Sequence, residues 1–594
     1  MSDFIYSSRP RVPGQLANCL GAIWHNGSRD IVEYHGDWGS LCVSRSMYGG
    51  FQPCDTERHL FLVIGAPVLH FTTNTHLAGD DSDAGTRRIM KRWLSGDMAW
   101  QDDLSGPFVV LCIDKTDSSV TCVTDLMLFI PVYKYFDDKH LVLGSHVDAT
   151  AGAAGEDQEM DDVSIADFLK NSSVTWPNTF YTRIRQLHPS AAHCFQTRKD
   201  IAKEVEPRVY WMPEESDSHS GIRAAARKLR EDLVREVALI TEGMEKVAQF
   251  ISGGVDSRII AGLLPQNLER HGYIFLDTMN REGRIAQRAA RAYGLEFHPA
   301  YRSRTHYLDI LPEASDLIGS GQQYMHAHSL VFNRQCGLDR YQAVFGGYSA
   351  DVFLKGYYAE SSRNADQYLY NHDKVIYREG QGLDISNYFT GDLRTKVFER
   401  RLTHLELVKR FRPETATEWA RFWPASNRTA LPNLITNRRL FRSYELFLSN
   451  PVVKTSALAP SSWKENQRLF HLAFRPFLEK SRWLIHNDGH FPYFSSNMNR
   501  IPEFFIELWR FRKKFRKTGV KVINQGPWGS WKSIRQTQEW DAWLQMSREL
   551  DCMPKGLFLK PAGSIACNPE IYQKQIINLI QVSYFLSRKI REPL

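Results

Sequence analysis

Six consecutive residues, Ser252-Gly253-Gly254-Val255-Asp256-Ser257, carry the clearest chemical signal in the chain. They follow a short apolar run, KVAQFI, and precede RIIAGLL, so a buried strand should hand over to a helix here. A turn made of a serine and two glycines exposes several backbone N–H groups at a helix N-terminus. Glycine lets a phosphate approach the backbone closely, and the helix dipole favours its negative charge. Ser252 and Ser257 add hydroxyl donors. Asp256 would repel a phosphate unless a divalent cation stood between them, which points to Mg²⁺. The plain alternative is a Gly-Gly turn closed by a capping serine. The full run in its strand–turn–helix context favours the phosphate cradle.

The elements that must position this loop can be read outward from it. Before about residue 205 the runs HLFLVIG, PFVVLCID, SVTCVTD and KHLVLGS alternate with turn residues, as in stacked sheets. The small, acidic stretch from Ala151 to Asp162 reads as an exposed loop. Residues Ile222 to Glu245 place Leu229, Leu233, Val237 and Ile240 at helical spacing. After the loop, YIFLDT reads as a second strand, EGRIAQRAARAYGL as a helix and AVFGG as a later strand. Strands alternating with helices predict a parallel sheet covered on both faces. From about Ser361 onward, helical segments rich in aromatics and arginine dominate.

A chain of 594 residues exceeds one ordinary core, so two domains are expected, 1–205 and 206–594. With 43% hydrophobic and 24% charged residues it has the composition of a folded soluble protein. The net charge of +7 comes without a dense basic stripe, which argues against a nucleic-acid partner. Nine cysteines without a CxxC pair are too sparse for a disulfide framework. No signal-peptide pattern and no bilayer-length apolar run is found, so a cytoplasmic protein with no membrane partner is expected.

SGGVDS resembles the pyrophosphate loop of N-type ATP pyrophosphatases, which split ATP between its α- and β-phosphates. The segment Ala343 to Gly356, AVFGGYSADVFLKG, resembles the GxGxDExFGG segment of asparagine synthetases. That resemblance, which covers most of the chain, implies ATP and Mg²⁺ as cofactors. It places Ser252, Gly253, Gly254, Val255, Asp256, Ser257 and Gly347 around the nucleotide, and Asp351 beside Asp256 as the second metal carboxylate. Asp351 could equally be a helix cap after a Gly-rich turn. EGRIAQRAARAYGLEFH is similar to a further family block in which an acid opens a helix beside the nucleotide. Glu282 is that acid or an ordinary first-turn acid favoured by the helix dipole. The fold implied is α/β with two domains. The front is a degenerate Ntn-hydrolase-like α-β-β-α sandwich. The back is a parallel-sheet, adenine nucleotide α-hydrolase-like domain with a helical C-terminal part.

The front domain looks like the glutaminase domain of asparagine synthetases, but position 2 is serine rather than the nucleophilic cysteine, and the first cysteine is Cys19. A serine hydroxyl is a far poorer nucleophile than a thiol near neutral pH. Nitrogen is therefore expected from ammonia or an amine, the latter as in β-lactam synthetases and lasso-peptide cyclases. Tyr348 lies where β-lactam synthetases place a tyrosine that acts with a glutamate as general base. Glu445 falls where the family has an acid before its PFLD-like turn. The alternative for Tyr348 is an aromatic packed over the loop. Lys464 matches a KxxLR-like block. The family's later lysine, which stabilises the adenylate, is missing where the chain reads Trp483-Leu-Ile-His486, and Lys355 or Lys480 could supply its charge. His486 and His490 read as surface or core residues rather than metal ligands. Asparagine-synthase-related proteins of bacterial surface-polysaccharide pathways show a similar arrangement. The expected function is amide formation through an acyl-adenylate, on a small-molecule or peptide carboxylate, with a homodimer possible. A catalytically silent binding protein and an intramolecular cyclase are the alternatives.

Overall fold

The computed structural model describes residues 3–25, 30–79, 82–198, 201–216, 221–359, 383–486 and 489–494, with shorter pieces from 529 to 591. The front part holds two six-stranded antiparallel sheets. The first contains Phe4–Ser7 between His140–Gly144 and Gly39–Ser44. The second is centred on Phe108–Asp114, flanked by His59–Gly65 and Ser119–Thr124. These strands read as unbroken apolar runs because both faces are covered, so HLFLVIG and FVVLCID are almost wholly buried. The sheets meet through Phe136 and Phe195, whose ring centroids lie 6.2 Å apart. Helices Gln15–Gly21 and Val147–Ala154 pack on the first sheet and Ala84–Leu94 on the second, giving the expected four layers.

The stretch from Ala151 to Asp162 is not a simple exposed loop. Its first residues finish the helix Val147–Ala154, where alanines fit a buried face, and Gly155 ends that helix in the left-handed region at φ 72°. The final front strand, Ile201–Val209, continues past residue 205 to pair with Ala191–Arg198.

The back part begins with helix α1 (Ile222–Ile240), which buries Leu229, Leu233, Val237 and Ile240 as their spacing predicts and stops short of Glu245. A five-stranded parallel sheet follows. Its strands are β1 (Lys246–Phe250), β2 (Glu269–Leu276), β3 (Glu296–Tyr301), β4 (Ala343–Gly346) and β5 (Ser443–Glu445), in the order β3-β2-β1-β4-β5. Helix α2 (Val255–Leu263) follows β1, and α3 (Arg281–Tyr293) follows β2. The limits of α3 are written locally. The Asn280 side chain accepts the Gly283 N–H at 3.0 Å, and Gly294 takes up φ 73° at the far end. The helix α4 (Ala350–Leu354) follows β4, and α5 (Leu431–Leu440) precedes β5. Strands β3 and β5 carry little sequence signal. One contains Pro299 and polar residues, and the other has three residues.

The two parts are joined by buried charge. Asp3, at the head of the front sheet, receives Arg439 Nε at 2.9 Å and Nη2 at 2.7 Å from α5, and Ser145 Oγ at 2.7 Å. All three side chains are buried, as is Arg438, 3.5 Å away. Burial alone would raise the Asp3 carboxyl, yet Arg439 and Arg438 outweigh it and hold it well below the ordinary carboxylate range. Such an acid stabilises the fold above its unfolded pKa of about 3.9 and loses that contribution as pH falls towards its folded pKa. Asp3→Asn is expected to cost about 3–5 kcal/mol at neutral pH. In urea denaturation across pH, the variant should also lack part of the wild-type loss of stability below about pH 4.

Candidate active site

In the turn between β1 and α2, the N–H groups of Ser252, Gly253 and Gly254 all find partners within the protein. Ser252 and Ser257 close it, with the Ser252 N–H donating to Ser257 Oγ at 3.0 Å and the two hydroxyls 3.1 Å apart. The Gly254 N–H donates to Ser252 Oγ at 3.0 Å. Val255 opens the helix and Asp256 stands in its first turn. Glu282, buried at the start of α3, accepts the Gly253 N–H at 2.6 Å. Glu282 is thus a first-turn acid whose carboxylate touches the loop. A Cβ on Gly253 would sit 3.0 Å from Glu282 Oε2, so glycine there is a matter of close approach.

Arg258, the first residue after the loop, holds it from behind. Its fully buried guanidinium donates to the carbonyls of Gly253 at 2.8 Å, Leu484 at 2.8 Å and Ile485 at 2.9 Å. Burial brings its pKa down to about 10. The segment around residue 485 is thereby returned to the loop. His486, expected on the surface or in the core, is close enough for its charge to lower the Asp256 carboxyl, and its ring stacks on His490 at 4.6 Å.

Parallel pairing of β1 with β4 brings the second Gly-rich turn alongside. A Cβ on Gly347 would meet Asp256 Cβ at 3.2 Å, so the two turns are in direct contact. Ser349 takes φ 71° to start α4, and Asp351 falls in the first turn of that helix. Burial pushes the Asp256 carboxyl up, Lys355 pulls it back, and Asp351 raises it again, which places the two acids within electrostatic reach. Each acid has a cation. Lys355 Nζ lies 2.6 Å from Asp256, and Arg428 Nη2 lies 3.3 Å from Asp351. Arg428 also donates to Ser349 Oγ and covers the Tyr348 ring at 4.5 Å. It lies 77 residues beyond Asp351, and its distance in sequence hid it.

Glu445 and Tyr348 do come together, but not as an acid–base pair through the phenol. Glu445 Oε2 accepts the Tyr348 backbone N–H at 2.9 Å, with Asn437 Nδ2 at 3.4 Å from Oε1. Among the described residues the buried Tyr348 hydroxyl has no hydrogen-bond partner. Burial drives its pKa far above the ordinary value. Of the lysines considered, only Lys355 adjoins the loop. Lys464 is buried in an ion pair with Glu418 at 2.9 Å, and Lys480 binds Gln266 at 2.9 Å. Ser2, Cys552 and Cys567 lie outside the described residues, and the seven described cysteines are free thiols.

The class is a two-domain α/β protein, with an Ntn-hydrolase-like sheet domain followed by an adenine nucleotide α-hydrolase-like parallel sheet. Residues 228–483 match the family model for asparagine synthase, and residues 74–211 match that for a glutamine amidotransferase domain. The chain is thus similar to asparagine synthetases in architecture, with an asparagine synthase-like segment behind a glutamine amidotransferase-like one. No curated protein matches the sequence. Similar solved structures include the allosteric regulatory enzyme of purine biosynthesis, at 10% identity and TM-score 0.24, covering 42% of this chain and 60% of that one. Another is glutamine phosphoribosylpyrophosphate amidotransferase from B. subtilis complexed with ADP and GMP, at 12% identity and TM-score 0.24, covering 50% and 65%. The chain spans less than two thirds of either, and at these scores neither bears on function. Among the described residues no helix is long and apolar enough to cross a membrane.

Gly346 offers a direct check of this geometry, since a Cβ there would lie 2.2 Å from Glu445 Oε2. Gly346→Ala should destabilise by about 1–3 kcal/mol in chemical denaturation. Adding Glu445→Ala should remove the clash, giving a double variant less destabilised than the sum of the two by at least about 0.5 kcal/mol.

Proposed function

We propose that the protein activates a carboxylate with ATP, releasing pyrophosphate, and passes the acyl group to ammonia or an amine. The observation that carries this reading is the contact between the Ser252–Ser257 turn and the Gly347 turn, from which the two helices carrying Asp256 and Asp351 in their first turns start. In the first step the substrate carboxylate oxygen attacks the α-phosphorus as the bond to the β-phosphate oxygen breaks. The free N–H groups at the start of α2, with Ser252 and Ser257, hold the departing pyrophosphate. Lys355 adds a positive charge at the position of the missing family lysine's role. In the second step nitrogen attacks the acyl carbon, AMP leaves and an amide forms. Tyr348, protonated and buried, donates a hydrogen bond to the reacting acyl group.

Two hard carboxylates within electrostatic reach fit Mg²⁺, which typically takes one or two carboxylates plus substrate phosphates. Asp256 and Asp351 would hold it, and when bound it neutralises charge on the phosphates. In this proposal the front domain supplies no glutaminase activity, so ammonium should support turnover where glutamine does not.

One observation favours a second reading, a silent nucleotide-binding protein. Both candidate metal carboxylates already carry a cationic partner, Lys355 and Arg428. The two readings separate experimentally. Incubated with a carboxylate panel, ammonium, ATP and Mg²⁺, the enzyme should release pyrophosphate and AMP together. Asp256→Ala and Asp351→Ala should each lower that release on the order of 100-fold or more while leaving the melting temperature near wild type. ATP binding by calorimetry that needs no Mg²⁺, with no turnover on any carboxylate, would instead establish the silent protein.

A further inference from the structure

At the end of the parallel sheet away from the phosphate-loop turn, β2 and β3 start side by side. Their register pairs His271 with Glu296 and Tyr273 with His298. Side chains two apart on a strand share a face, so His271, Glu296 and His298 must converge on one side of the sheet. They do. His271 Nδ1 lies 2.9 Å from His298 Nε2 and 3.5 Å from Glu296 Oε2, and His298 Nε2 lies 3.4 Å from Glu296 Oε1.

Those separations are close to the edges of a metal coordination tetrahedron. Ligand bonds of about 2.0–2.1 Å imply ligand-to-ligand distances of roughly 3.3 Å. The three donor atoms lie within 4.8 Å of one another, and among the described residues this is the one group with such a ligand set. Two imidazoles and a carboxylate are the donors that suit zinc and its first-row neighbours rather than Mg²⁺ or Ca²⁺.

A second, independent contact prepares the site. Glu269 Oε1 lies 2.8 Å from His271 Nε2, and Lys246 Nζ lies 2.6 Å from the same oxygen. A carboxylate there fixes the Nε2–H tautomer of His271 and leaves its Nδ1 lone pair facing His298 and Glu296. This carboxylate–imidazole arrangement orients metal-bound histidines. His271 is 7% exposed in its side chain, His298 32% and Glu296 66%, so the site has a buried back and an open front for a water ligand.

We propose that His271, His298 and Glu296 form a binding site for a divalent first-row transition metal, zinc in the first instance, that clips the edge strand β3 to β2. Without metal, His298 Nε2–H donates to His271 Nδ1. Metal uptake replaces that hydrogen bond, and the His298 proton sits on Nδ1. The site is distinct from the nucleotide site and does not depend on the ligase reading.

The test uses the full chain, stripped with a chelator, desalted and loaded with Zn²⁺ or Co²⁺. Bound metal is counted by mass spectrometry after gel filtration, and the coordination of Co²⁺ is read from its visible absorption. Wild type should retain one equivalent that His298→Ala lacks, and Co²⁺ should show the strong bands of a low-symmetry, four-coordinate site. Zn²⁺ should raise the melting temperature of wild type but not of His298→Ala. Glu269→Gln should weaken binding by roughly 10–100-fold. Glu296→Gln changes an exposed side chain, so its weaker binding tests the ligand set even if His298→Ala folds poorly. Asp256→Asn should keep the equivalent. Equal metal retention by wild type, His298→Ala and Glu296→Gln would overturn the proposal and leave a histidine pair joined by a hydrogen bond only.

Discussion

Parallel pairing between β1 and β4 is the constraint on which the candidate active site depends. Adjacent parallel strands end at the same edge of a sheet, and each here turns into a helix, so two helix N-termini open side by side. Helix N-termini present unpaired N–H groups and a positive dipole end. The acids in their first turns, Asp256 and Asp351, are thereby drawn into one small volume. The approach requires residues without side chains at the crossing, which is the physical meaning of Gly346 and Gly347. At these positions the neighbouring atoms belong to Glu445 and Asp256 themselves.

Electrostatics at this edge is balanced locally. Asp256 has Lys355, Asp351 has Arg428, and the buried Glu445 is held by a backbone amide and Asn437. Burial raises Asp256 and Glu445 alike, yet only Asp256 has a lysine to offset it.

Much of this was legible in the sequence because it is local. The strand–turn–helix around Ser252 and the helical spacing of Leu229 to Ile240 are each decided within a few residues. What could not be read depends on distant segments. Arg258 makes sense only once residues 484 and 485 return to the loop, and Arg428 only once it folds over Tyr348. A one-dimensional reading brings Glu445 near Tyr348 without telling its amide, which Glu445 accepts from, from its hydroxyl. Strand β3, with a proline and few apolar residues, is held by its neighbour rather than by its own pattern.

The front domain's hold on the back domain reaches the site through β5. Tyr48 grips that strand at Ser443, donating to its carbonyl at 2.9 Å and accepting its N–H at 3.0 Å, while Arg442 Nε donates to the Met47 carbonyl. A foreign phenol thus takes the place of a further strand on the short edge that carries Glu445. Even with no chemistry of its own, the amino-terminal half is a mould for the carboxy-terminal half. Excised alone, the carboxy-terminal domain would have a bare sheet margin, and Arg438 and Arg439 would lose Asp3.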